Sequence, residues 1–160
     1  MDAVILNYQF VQQYWQKHNK RQTEAMRFAI DAGADLVIGH HPHVLQGMEI
    51  YKNRLIVYSL GDFCYGGNRK PRAVEYPSMI LSAQLFFDEA GFAGTQLTIH
   101  PYRISGTAPR NNYQPLPVSG AEALEVMAII QADTPFALNP YVEGQGAVQE
   151  PVMAGGQAAP

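Results

Sequence analysis

Asp35-Leu36-Val37-Ile38-Gly39-His40-His41-Pro42-His43 is the stretch on which the reading of this chain turns. Leu36-Val37-Ile38 is a short run of apolar residues and reads as a buried strand. The three histidines then fall at or just past its C-terminal end, where α/β folds commonly place their chemistry. Pro42 disfavours the helical region for His41 and predicts an extended backbone there. Residues two apart in an extended chain share a side, so His41 and His43 are expected to converge while His40 faces away. Two convergent imidazoles are either half of a metal site or a pair of hydrogen-bonded loop histidines, and on the residues alone both readings stay open.

Upstream of this run, residues 3 to 10 read as a second buried strand and residues 11 to 18 as a polar, aromatic connection. Tyr8, Phe10, Tyr14 and Trp15 are expected at the edge of the core. Asn19 with Gln22 three residues on has the pattern of a capping box, so a helix is predicted to start there. Met26, Ala29 and Ile30 form its inner face, and Gly33 suits the left-handed position that closes a helix. Strand, helix and strand 35–39 together predict a parallel unit. Downstream, Met48–Tyr51 and Leu55–Tyr58 flank Lys52-Asn53-Arg54 as a hairpin, with a turn at Ser59-Leu60-Gly61-Asp62. Residues 66–77 read as a surface loop.

Residues 78–88 and 92–104 are strand-like, and 105–118 form a Pro- and Asn-rich loop. Ser119 with Glu122 predicts a second capped helix to about residue 132. We expect a domain over residues 1–132 and a largely disordered tail over 133–160, because the composition beyond Gly144 offers little to bury. The fold class is α/β.

Composition narrows the function. A formal charge of -3, with 47% hydrophobic and 16% charged residues, fits a globular domain and offers no electrostatic footprint for nucleic acid. The basic cluster from Lys17 to Arg21 reads as a solvated helix start. No apolar run approaches the ~18 residues of a membrane span, and no signal peptide is visible. The single cysteine, Cys64, forms no intrachain disulfide and is expected as a small packed side chain. His18 and His100 read as ordinary surface or strand positions. The chain opens almost at once on Ala3-Val4-Ile5-Leu6, which leads us to expect an earlier part of the fold upstream and an open sheet edge able to self-associate.

Gly33 through Gly47, Tyr58 through Asn68, and Asn111-Asn112-Tyr113-Gln114-Pro115 with the following helix closely resemble the CapA-type poly-γ-glutamate capsule-synthesis proteins. That family resembles in turn a branch of the calcineurin-like metallophosphoesterases. The resemblance implies a sandwich of mixed sheets flanked by helices, of which this chain is the C-terminal portion. It implies divalent metal ions such as Mn, Fe or Zn held at strand ends, with His41 and His43 as ligands. Earlier family motifs, which supply Asp residues and an Asn-His pair, find no match here.

Two residues depart from the pattern. Gln9 stands where the family has a metal-binding histidine, within Gln9-Phe10-Val11 and Gln13-Tyr14 in place of His-Trp-Gly and Glu-Tyr. Asp62 stands where the family usually has Asn. An amide is a weak ligand for a transition metal beside imidazole. Gln9 is therefore expected either to hydrogen-bond at that position or to be a surface residue. Asp62 is either a ligand or partner of a histidine N–H, or a plain turn residue. His40 is expected in packing or solvent, with substrate contact as the alternative.

The function implied is capsule or poly-γ-glutamate biosynthesis at the bacterial cell surface, in a membrane-anchored assembly with an anionic polymer or phosphoester as substrate. A non-catalytic scaffold of such an assembly is the alternative, and a nucleotidase-like phosphoesterase fragment a third.

Overall fold

In the computed structural model, residues 2–65, 76–107 and 110–155 are described. The first forty residues fold as their pattern predicts. Strand β1 (Ile5–Gln9) leads into helix α1 (Lys20–Asp31) and strand β2 (Leu36–His40). Asn19 caps α1 through a complete box: its side chain accepts from the Gln22 backbone N–H, and its own N–H donates to the Gln22 side chain. At the other end the Gly33 N–H bonds Ile30 and the Ala34 N–H bonds Ala29. That pair of bonds is a Schellman motif, with Gly33 at φ 107°.

β1 pairs parallel with β2, and β2 pairs parallel with β4 (Arg54–Val57). β3 (Met48–Tyr51) closes the sheet antiparallel to β4, in the order β1-β2-β4-β3. Lys52 and Asn53 both have positive φ, the backbone of a two-residue hairpin turn whose twist suits the flanking strands.

Alternation along these strands divides the interior in two. Val37, Ile56 and Tyr58 face α1 and pack with Met26, Ala29 and Ile30. Leu36, Leu55 and Val57 point the other way, into a larger core shared with the second sheet and helix α2 (Gly120–Gln131). That sheet is built on a long hairpin, β5 (Pro77–Asp88) with β6 (Gly91–Arg103).

The remaining edge of β6 is covered in succession by three two-residue strands. β7 (Leu116–Pro117) pairs at Tyr102 and Arg103, β8 (Ala147–Val148) at Thr98 and Ile99, and β9 (Val152–Met153) at Gly94 and Thr95.

Several expectations are corrected here. The segment beyond 133 is not a disordered tail as far as residue 155. Ala147 is fully buried, and Phe136, Leu138, Tyr141 and Val152 pack on the main core. Low apolar content misled because small residues allow close approach: a Cβ at Gly146 would lie 2.7 Å from the Ile99 carbonyl oxygen. Residues 156–160 lie outside the described residues, as does most of the predicted loop at 66–77. Ser119 is the N-cap residue of α2 but its side chain makes no capping hydrogen bond. Glu122 pairs instead with Arg103 on β6, a full charge that outcompetes a backbone N–H. Cys64 is exposed, because the chain leaves the sheet after Leu60 and runs over the surface.

Candidate functional site

The histidine loop starts at the C-terminal end of β2, beside the same end of β1, where Gln9 is in register with His40. Gly39 lets β2 run unusually close to the end of β4: a Cβ there would sit 2.2 Å from the Tyr58 carbonyl oxygen. An isolated bridge between Leu45 and Leu60 then ties the two outgoing segments together. That tie brings Asp62, nineteen residues away in sequence, onto the loop.

Each histidine has a different partner. The His40 ring Nε2 donates to the side-chain oxygen of Asn7 at 2.9 Å. Burial holds the His40 imidazole below its ordinary pKa, because desolvation disfavours the charged ring. The His41 ring is flanked by two amides, with Gln9 Nε2 at 3.1 Å from Nδ1 and Gln13 Nε2 at 3.1 Å from Nε2. His43 Nδ1 lies 2.9 and 3.0 Å from the two oxygens of Asp62. Both members of that pair are largely shielded, with side-chain exposures of 19% and 17%.

The rings of His41 and His43 approach to 5.2 Å, tilted by 52° to each other, which is the expected closeness. Its route differs from the expectation. His41 and His43 have φ of 92° and 59°, so the loop turns through left-handed conformations rather than running extended. Two backbone bonds hold this turn: Phe10 N–H to His40 O, and Tyr14 N–H to Pro42 O.

Aromatic rings wall the His43 side. Tyr14 stacks on His43 at 5.8 Å, and Tyr65 meets it edge-on at 5.9 Å. Buried Asn111 donates to the Tyr65 carbonyl at 2.6 Å, which joins the Asn-rich loop to the site. Tyr8 and Trp15, expected to pack the core edge, are exposed at 38% and 63%; Phe10 does pack there.

A second polar cluster escaped the sequence reading. His18 stacks flat on Tyr58 at 3.8 Å, and its Nδ1 lies 2.9 Å from Asp133 Oδ2. The same carboxylate oxygen accepts the backbone N–H groups of His18 and Gly47. The Tyr58 hydroxyl donates to Glu49, which also pairs with Arg27. Burial, and then the Glu49 bond, push the Tyr58 phenol well above its usual range. His18 and Asp133 are 115 residues apart, so no local pattern could have joined them. Glu49, inside an otherwise apolar strand, was the one visible signal.

As for a metal, His43 has the form of a ligand, since a carboxylate on Nδ1 leaves Nε2 for another partner. His41 does not, because both its nitrogens are engaged. Among the described residues, no group of three or more His, Cys, Asp and Glu side chains gathers to hold an ion. A zinc site needs at least three protein donors, so the residues described here do not fit a complete centre.

Residues 1–66 match the family model described as bacterial capsule synthesis protein PGA_cap. The similarity to this CapA-type family is carried by residues 1–66. They hold the whole four-stranded sheet, α1, the histidine loop and Asp62. The capsule biosynthesis protein CapA of Bacillus anthracis is 44% identical over 64 residues, 40% of this chain and 16% of that protein. The PGA biosynthesis protein CapA of Bacillus subtilis (strain 168) is likewise 44% identical over 64 residues, covering 17% of its length. The uncharacterized protein y4sH of Sinorhizobium fredii is 60% identical over 45 residues, 28% of this chain and 10% of that protein.

The CapA-type match thus spans about a sixth of these capsule relatives' length. The Asn111–Pro115 block and α2 lie beyond the matched residues. No helix among the described residues is long and apolar enough to cross a membrane.

Proposed function

We propose that this chain serves the making of an anionic surface polymer of the capsule or poly-γ-glutamate kind, as a CapA-like binding scaffold within the synthesis machinery at the cell surface. The observation that carries the reading is that the CapA-type match covers the sheet and loop that hold His40, His41, His43 and Asp62. The scaffold form is favoured by Gln9 and Gln13, whose amides engage His41. Its working surface is the His43–Asp62 pair with the flanking Tyr14 and Tyr65 rings, which face an anionic polymer or phosphoester.

A second reading takes the two-sheet fold as the later part of a calcineurin-like phosphoesterase. In it His41 and His43 are ligands of a divalent ion such as Mn, Fe or Zn, and further donors come from another segment or chain. The 5.2 Å approach of the two rings, with Asp62 behind His43, favours it.

Deleting the gene in the native host should lower cell-bound polymer several-fold, and a His43→Ala copy should restore it only in part. Unchanged polymer after deletion would end the capsule reading. Turnover of phosphomonoesters or nucleotides by the purified chain would favour the phosphoesterase form, and inactivity across such a screen would count against it.

A further inference from the structure

We infer that Gln9 and Gln13 are positioning residues that clamp His41 by hydrogen bonds, so that the histidine loop takes its shape without a metal ion. A neutral imidazole offers one N–H and one lone pair. With an amide group 3.1 Å from each ring nitrogen, one glutamine donates to the bare nitrogen and the other turns its oxygen to accept from the N–H. Neither tautomer then leaves a lone pair on His41 for a cation, and a protonated ring has none at all.

The loop is fastened on both sides of that ring. Asn7 accepts from His40, and the Phe10 and Tyr14 backbone N–H groups bond the carbonyls of His40 and Pro42. Positive φ at two non-glycine residues is a sparsely populated conformation that persists only where the surroundings over-determine it. Here three side-chain amides and two backbone bonds do so. The consequence reaches His43. A fixed His41 ring sets one wall beside it, Tyr14 sets another, and Asp62 fixes its tautomer. This inference stands whether or not the polymer reading holds, because it rests on the contacts of the histidine loop with β1 and the segment that follows β1.

The test uses the whole chain, with zinc and manganese as the probes. After dialysis the protein should retain less than about one tenth of an equivalent of either metal. Its melting temperature should be the same with and without EDTA. Gln9→Ala and Gln13→Ala should each lower that temperature by about 2–4 °C, the loss expected for one hydrogen bond in a domain of this size. In the unmodified protein, the ring nitrogen resonances of His41 should report one protonated and one hydrogen-bond-accepting nitrogen. Gln9→Ala and Gln13→Ala should each move the His41 signals, since each removes the partner of one ring nitrogen. If either variant fails to fold, the ring spectrum and EDTA response of the unmodified chain still decide. One equivalent of zinc or manganese bound at micromolar concentration and lost in His41→Ala would overturn the inference, as would a melting temperature that falls on adding EDTA.

Discussion

The two sheets hold themselves together by different means. The second sheet is a long hairpin whose buried residues, Leu97 and Ile99 among them, enter the main core, and its order follows from hydrophobic burial and register. The four-stranded sheet has short strands and ends in polar contacts: Gln22 with Gln46, Arg27 with Glu49 and Tyr58, His18 with Asp133, and the histidine loop with Asn7, Gln9 and Gln13. The first kind of order tolerates any residue of similar volume and shape. The second depends on particular atoms at particular distances, and it is the region that carries the family match.

That contrast can be broken by substitution, and the largest effect is expected on the apolar side. Ile99→Ala removes a fully buried side chain between the two sheets and should cost about 3–4 kcal/mol in urea unfolding. A loss below about 1 kcal/mol would show that the second sheet is not held by its core. Glu49→Ala comes next, at about 2 kcal/mol, because it leaves the Tyr58 hydroxyl only the long contact to Thr23 and frees a half-exposed Arg27. Glu49→Gln should recover about half of that loss, since Arg27 and Tyr58 donate to different carboxylate oxygens and the single amide oxygen still accepts from one of them.

A pH series sharpens the same point. Unfolded tyrosine ionises near pH 10 (about 10 in model peptides), whereas folded Tyr58 keeps its proton to higher pH. Between those two values the folded state binds the extra proton, so the Tyr58 contribution is complete below about pH 10 and is lost as pH rises above it. Tyr58→Phe should therefore flatten the fall in stability above about pH 10, and an unchanged slope would reject the assignment. The smallest effect belongs to Asn7→Ala. It should cost under about 1 kcal/mol, since its bond to His40 lies at an exposed strand edge. Amide hydrogen exchange at His40 and His41 should nevertheless quicken, and a global change in exchange would mean that the edge strand itself had been lost.

Sequence reading recovered what local chemistry writes into the chain. The Asn19–Gln22 box, the Gly33 cap, the apolar run of β2, the hairpin at Lys52-Asn53 and the strand character of β5 and β6 each follow from residues within a few positions of one another. It failed where a stronger or more distant partner took over. Glu122 left the α2 cap for Arg103, and the small residues beyond Gly144 found an unfilled edge on β6. At the site, the proximity of His41 and His43 was legible but its left-handed path was not.

By itself, then, the sequence determined that a strand delivers three histidines to its C-terminal end, with a helix and hairpin around it. Those elements arise from periodicity, capping and turn chemistry, all of which act over one or two turns of chain. Only the tertiary structure decided which groups the imidazoles meet: Asn7 for His40, Gln9 and Gln13 for His41, Asp62 for His43. Hydrogen bonds are short-ranged and directional, so contacts across 19 to 33 positions depend on how β1, β2 and β4 are laid side by side.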